Sequence, residues 1–317
     1  MSFLILIVGF ALLIKGADVF VDGASSIAKR FNIPPMLIGL TIVAMGTSAP
    51  EAAVSVSSSL AGQNDMSIAN VIGSNFFNIL IVLGVSAIIA KLPVEKNTIK
   101  KDTPFLLFIS ALLVVLGINL NLSRFDGLIL LILFVFFLVS MIKSNLGQKD
   151  CDISAGESAI AIEVTESEAI SLSKTLVICL IGIVGIVWGG DLVVDSATKI
   201  ATAFGMSTNL VGLTIVAMGT SLPEFVTSII AVRKGETEIA IGNVIGSNIF
   251  NILLVLGLAS IINPMTISMF ALIDAVFMTL ITILLYIFIN KNNCLNKIHG
   301  FILISIYLAY MCYTIIR

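Results

Sequence analysis

Glu51 closes the stretch GTSAPE (46–51) and Glu224 closes GTSLPE (219–224), each inside an apolar run of membrane-crossing character. A carboxylate in hydrocarbon loses its hydration, and a proline inside a helix deletes a backbone hydrogen bond. Both costs fall at one spot, and they fall there twice. Side chains four apart share a helix face, so Thr47, Glu51 and Ser55 form one polar row and Asn70, Ser74 and Asn78 another. Thr220, Glu224, Ser228 and Asn243, Ser247, Asn251 repeat both rows. Hydroxyls, amide oxygens, carboxylates and freed carbonyls make an all-oxygen donor set, which suits hard cations such as Ca²⁺ and Na⁺.

These residues must sit where the backbone can break. Gly46 lets the chain leave the helical region, and Pro50 suits the first turn of a new helix. The segment is predicted to be two half-helices, or one strongly kinked helix, with carbonyls released near Ala44 to Thr47. Irregular backbone at membrane depth is tolerated where it lines a cavity or binds something. A plainer role, close helix packing, fits Ser55, Ser57, Ser58, Ser59, Gly73 and Gly246 better. Asp18, Asp22, Asp191 and Asp195 form two i,i+4 pairs and read as polar faces at aqueous ends. Asp274 reads as interfacial.

The surrounding sequence is that of an all-α integral membrane protein. Of 317 residues, 58% are apolar and 11% charged, against about 25% charged in a soluble domain. Mean hydropathy is +1.13. The apolar stretches have helical length and lack the alternation of barrel strands. Ten transmembrane helices are predicted, near 3–28, 36–60, 67–90, 104–119, 125–142, 175–199, 209–232, 238–262, 270–290 and 298–316. The first is read as a retained helix, since no basic segment precedes its apolar run. Four cysteines without CxxC spacing and one histidine, His299, leave no soft-metal centre or catalytic triad. No nucleophile–base pair suggests an enzyme, and no basic stripe suggests nucleic acid. No cofactor is expected. The lipid bilayer is the expected environment, and the chain is compatible with a monomer.

The chain contains one unit twice. Residues 37–51 and 210–224 differ at two of fifteen positions, as do 70–84 and 243–257, and both pairs are offset by 173. The first repeat is placed at 1–142 (motif 37–84) and the second at 175–317 (motif 210–257), with an acidic linker at 143–174. Five helices per unit is odd, so the second unit must enter from the opposite side. Loops on one side hold thirteen lysines and arginines against three on the other. The positive-inside rule then puts both termini outside and the linker in the cytoplasm of a cell (inner) membrane protein. Inverted repeats of this sort belong to carriers that alternate access around a midplane site.

The paired GTSxPE and GSNxFN segments resemble the α-repeats of the sodium/calcium exchanger family, in the wider cation/Ca²⁺ exchanger superfamily, over the whole chain and in the manner of prokaryotic members. The resemblance implies Na⁺/Ca²⁺ antiport, with Ca²⁺ and Na⁺ as cargo. It also implies that the long first and sixth helices slide against the rest. Glu51 and Glu224 would be the shared carboxylates, and Thr47 and Thr220 would give carbonyls to Ca²⁺. Ala44, Ser48, Ser74, Ala217, Ser221 and Ser247 would flank with Na⁺ subsites, and Asn78 and Asn251 would complete the centre. Many relatives have aspartate where this chain has Asn251, which argues against K⁺ co-transport. Proton-driven or other cation exchange is the alternative reading, and a cation channel a more distant one.

Overall fold

The computed structural model describes residues 2–154, 172–205 and 217–316. Thirty mostly apolar residues form α1 (Ser2–Phe31), which stops where Asn32 takes a left-handed φ of 51° and Pro34 and Pro35 follow. The next span is broken. Its pieces are α2 (Pro35–Ile38), a π-helical turn (Gly39–Val43), α3 (Ala44–Thr47) and α4 (Ala49–Leu60), bent by 47°. Then α5 (Asn64–Phe77), a π turn (Asn78–Val82) and α6 (Leu83–Ile89) run on as one span. A third π turn (Thr98–Asp102) leads into α7 (Thr103–Gly117), and α8 (Arg124–Ser154) ends the first half.

The second half repeats this order. It comprises α9 (Leu172–Ala203), α10 (Ala217–Gly219), α11 (Leu222–Arg233), α12 (Thr237–Phe250), a π turn (Asn251–Val255), α13 (Leu256–Ile262), α14 (Met269–Asn292) and α15 (Lys297–Ile316). Among the described residues, seven helices are long and apolar enough to cross a membrane, and the bent α2–α4 segment makes an eighth. Of the other two expected spans, α7 has 15 residues and lengthens only through its π turn. The seventh expected span is represented by α10 and α11, since 206–216 lie outside the described residues. So do 155–171 of the acidic linker, while α8 runs on to Ser154 and α9 starts at Leu172.

Short strands report the relation between the halves. β1 (Leu92–Pro93) pairs antiparallel with β4 (Cys294–Leu295), and β2 (Asn121–Leu122) with β3 (Met265–Thr266). Adding 173 to Leu92 gives Met265, and adding it to Leu122 gives Leu295. The registers Leu92↔Leu295 and Leu122↔Met265 are therefore one pairing written twice. A pseudo-twofold axis follows from the backbone alone.

Burial ranks the elements. The spans Met66–Ile89 and Thr237–Ile262 are 72% and 78% buried, against 22–39% for the other long spans, so they form the centre. Their neighbours are the broken helices, which puts the two polar rows of each half in the interior. Outside lies the pair α1 and α9, joined at closest approach by glycine. A Cβ on Gly16 would come within 2.7 Å of the Ile186 nitrogen, and one on Gly189 within 2.5 Å of the Leu13 nitrogen. Small residues at such crossings let the backbones touch, which replaces the hydrophobic drive that lipid cannot supply.

One feature breaks the symmetry. Lys234, just past α11, reaches Asp18 and Asp22 of α1 at 2.7 Å each and the Asp18 carbonyl at 2.9 Å. Beside it, Ser25 donates to Glu236 at 2.5 Å, and Lys29 lies 3.6 Å from Glu236. At the matching positions of the other half stand Ala61 and Gln63, and Thr198, the mate of Ser25, has a buried hydroxyl with no partner. Among the described residues, the latch exists at one end only. Each exposed pair contributes about 0.2–1 kcal/mol. Lys234→Ala is therefore expected to speed hydrogen exchange at the Lys29 end of α1 by up to roughly tenfold; unchanged protection there would show that the latch adds nothing.

Candidate cation-binding site

The site begins with the two breaks. Ser48 (φ −83°, ψ 8°) and Ser221 (φ −89°, ψ 5°) leave helical geometry, and each starts a new helix with proline in its first turn. Pro50 has no N–H to offer the Gly46 carbonyl one turn earlier. The bonds flanking the break run from Ser48 N–H to the Ala44 carbonyl (3.0 Å) and from Ala52 N–H to the Ser48 carbonyl (3.1 Å). The expectation for Gly46 needs correcting: it stays helical within α3. A Cβ there would meet Ile183 and Phe20 at 3.2 Å, so glycine serves close packing and Ser48 does the breaking.

Breaking the helices here starts α4 and α11 with their glutamates in the first turn, fully buried. Glu51 and Glu224 are both 0% exposed. Each carboxylate is held from both halves. Ser221 donates to Glu51 Oε1 at 3.1 Å and Ser74 at 3.4 Å; Ser48 donates to Glu224 Oε1 at 2.8 Å and Ser247 at 3.4 Å. Each carboxylate thus accepts from a serine at the opposite break, and no described ion pair neutralises either.

Amides tie the rows together. Asn70 donates to the Glu51 carbonyl (3.2 Å) and Ser55 (2.9 Å), and accepts from Thr220 (3.3 Å). Asn243 donates to the Glu224 carbonyl (3.3 Å) and Ser228 (3.0 Å), and accepts from Thr47 (3.0 Å). Every one of these contacts has its mate at offset 173. Ser55 is thus a hydrogen-bond partner and not merely a small packing residue. Gly246 does pack closely, with the Leu40 carbonyl 2.6 Å from an added Cβ, whereas no described atom lies within 4 Å of one on Gly73.

Among the described residues, the buried side-chain atoms without a partner include two carboxylate and two amide oxygens, Glu51 Oε2, Glu224 Oε2, Asn78 Oδ1 and Asn251 Oδ1, besides the amide nitrogen of Asn248 and several hydroxyls. These four oxygens too form two symmetric pairs. Buried polar atoms are nearly always hydrogen-bonded, so such a set of acceptors calls for an explanation. A cation bound among them would supply one. No group of three His, Cys, Asp or Glu side chains occurs among the described residues, so the donor set is two carboxylates and neutral oxygens.

The structure places the predicted residues as follows. Thr47, Ser48, Ser74, Asn78, Ser221, Ser247 and Asn251 are buried, the four serines against the glutamates, and Thr220 is partly buried. Ala44 is buried, with its carbonyl already accepting from Ser48. Ala217 starts α10; its side chain lies outside the description. Asp18 is half-buried and Asp22, Asp191 and Asp195 are exposed. Asp274, expected at an interface, is 7% exposed within α14. Sequence reasoning missed Asn75 and Asn248, which bond to Asn251 and Asn78. The GSNxFN motif contains them, but the four-residue rows skip them.

Comparison with known proteins agrees with this geometry. A family model described as sodium/calcium exchanger protein matches residues 1–143 and again 174–316. The chain is similar to the inner membrane protein YrbG of Escherichia coli, with 38% identity over 82% of this chain and 79% of the relative. It is also similar to the sodium/calcium exchanger MaX1 of Methanosarcina acetivorans, with 32% identity over 98% and 97%. Solved structures of the sodium–calcium exchanger NCX_Mj superpose with TM-scores of 0.85 and 0.84 at 32% identity, one soaked without Na⁺ and Ca²⁺ and one with both. The former covers 99% of this chain and 98% of the other, the latter 98% and 97%. This chain, with its duplicated break and its paired buried glutamates, belongs to the sodium/calcium exchanger family of membrane cation antiporters.

Proposed function

We propose that the protein exchanges Na⁺ for Ca²⁺ by alternating access at the site containing Glu51 and Glu224. The observation that carries this reading is the symmetric set of four unpartnered acceptors, two from carboxylates and two from amides. Glu51 and Glu224 are the shared ligands. The Thr47 and Thr220 carbonyls serve Ca²⁺, while Ala44, Ser48, Ser74, Ala217, Ser221 and Ser247 border the Na⁺ subsites. Asn78 and Asn251 complete the centre. The relatives MaX1 and NCX_Mj carry sodium/calcium exchange in their names, which supports the choice of ions.

Charge explains the coupling. Two ionised glutamates give the empty site about −2, which is costly to enclose in a low-dielectric bundle. One Ca²⁺ cancels that charge, and so do Na⁺ ions spread over neighbouring subsites. A loaded carrier can then switch sides readily, while an empty one switches slowly. Two opposite flows are thereby linked and leak is suppressed.

In sealed vesicles loaded with Na⁺, the reconstituted protein is expected to take up ⁴⁵Ca²⁺ when the outside is Na⁺-free. Uptake should vanish when the Na⁺ gradient is collapsed. Uptake that follows only a pH gradient would instead identify a proton-driven exchanger. Flux indifferent to any counter-ion would identify a channel.

A further inference from the structure

We infer that Asn75 and Asn248 are positioning residues: each clamps the amide of an asparagine from the other half, so that the oxygens of Asn251 and Asn78 stay free for a cation. This inference depends on the exchange reading only for what those oxygens bind.

The two amide–amide bonds are buried and mate with each other at offset 173, although Asn248 Nδ2, unlike Asn75 Nδ2, has no partner. Asn251 Nδ2 donates to Asn75 Oδ1 at 3.1 Å, and Asn78 Nδ2 donates to Asn248 Oδ1 at 3.3 Å. Asn75 is 1% exposed and the other three are 0%. In both bonds the donor and acceptor come from opposite repeats. Asn75 is itself fixed, with its Nδ2 3.5 Å from the Asn248 carbonyl and from Met278 Sδ. Asn78 lies one helical turn beyond Ser74, the residue that touches Glu51, and Asn251 lies one turn beyond Ser247, which touches Glu224.

A carboxamide carries its acceptor and its donors at opposite ends of one plane, and its last torsion is broad and roughly twofold. An unrestrained Asn251 could rotate by half a turn and present NH₂ where its oxygen had been. To a cation that means repulsion instead of a ligand. An acceptor placed against Nδ2 removes the choice. Asn75 and Asn248 supply that acceptor while contributing no free oxygen of their own, since neither Oδ1 is among the unpartnered atoms. Simple interhelical adhesion by asparagine would not require the partner's oxygen to be left bare.

The test uses the full-length protein in detergent, with Ca²⁺ affinity read from the concentration dependence of the thermal midpoint. Asn75→Leu removes the acceptor at similar size and is expected to weaken apparent Ca²⁺ affinity roughly tenfold, about the worth of one oriented hydrogen bond. Asn251→Ala should weaken it at least as much. The double variant should be no weaker than Asn251→Ala alone, because Asn75 works through Asn251. Asn75→Leu combined with Asn78→Ala should instead multiply. In vesicles, Asn75→Leu should raise half-saturating Ca²⁺ and leave the maximal rate near that of the unaltered protein. A mere packing defect would lower the rate or the folded yield without the affinity change.

An unchanged Ca²⁺ affinity in Asn75→Leu, or full multiplication with Asn251→Ala, would overturn the inference. Failure of the unaltered protein to respond to Ca²⁺ at all would count against the exchange reading alone. The clamp is then judged from the same double-variant cycle in chelator, where non-additive midpoints support it and additive ones refute it.

Discussion

Glu51→Gln and Glu224→Gln are each expected to abolish Ca²⁺ exchange, with Ca²⁺ affinity falling on the order of a hundredfold or more. Glutamine keeps the shape of glutamate, and the Ser221 and Ser74 hydroxyls can still donate to its oxygen in the Glu51 variant. What changes is charge. The site drops from about −2 to about −1, so bound Ca²⁺ leaves a net positive charge inside the bundle. An uncompensated buried charge costs several kcal/mol. The empty protein should respond in the opposite sense. With one of two mutually repelling buried carboxylates gone, the thermal midpoint in chelator is expected to equal or exceed that of the unaltered protein. Stabilisation by added Ca²⁺ should disappear. Near-normal transport, or a full Ca²⁺-dependent rise in midpoint, in either variant would remove that glutamate from the site.

The second large effect lies away from every proposed ion ligand. Gly242→Val is expected to lower stability by several kcal/mol and to eliminate transport. An added Cβ at Gly242 would stand 2.5 Å from the Met36 carbonyl, 2.8 Å from the Leu40 nitrogen and 2.9 Å from the Gly39 Cα. All three are backbone atoms, so no side-chain rotation can relieve the clash. Overpacking a core costs about 1–3 kcal/mol when side chains can shift, and more when they cannot. Relief requires α2 and its π turn to move off α12. That movement would carry Thr47 away from Asn243 and Ser48 away from Glu224, which now lie 3.0 and 2.8 Å apart. Size-exclusion profile, thermal midpoint and ⁴⁵Ca²⁺ uptake would all register the change. A variant with unaltered midpoint and uptake would show that this crossing does not hold the site.

Much of the fold was legible because the relevant signals are local. A run of apolar residues reports a span wherever it folds, and a duplicated run reports a repeat. Proline beside glutamate within such a run marks a break and a candidate site, since both features are costly in a membrane. The identity of the breaking residue was less legible. Gly46 and Ser48 sit two apart, and glycine has two physical uses: freedom of φ and absence of a Cβ. Only the packing of Ile183 and Phe20 against Gly46 reveals which use applies. The burial of Asp274 was not legible for a related reason, because whether a charged residue on a helix is covered depends on the neighbouring helices.

The amino-acid sequence by itself determined the membrane class, the two copies, the breaks and the glutamates, all of which are written in composition and short-range spacing. The tertiary structure alone decided the partners: Ser48 with Glu224, Ser221 with Glu51, Asn75 with Asn251, and Lys234 with Asp18 and Asp22. The physical reason is range. Helical periodicity names the face on which a side chain lies, but these bonds join residues 170 to 216 positions apart, and only the docking of one half on the other selects them.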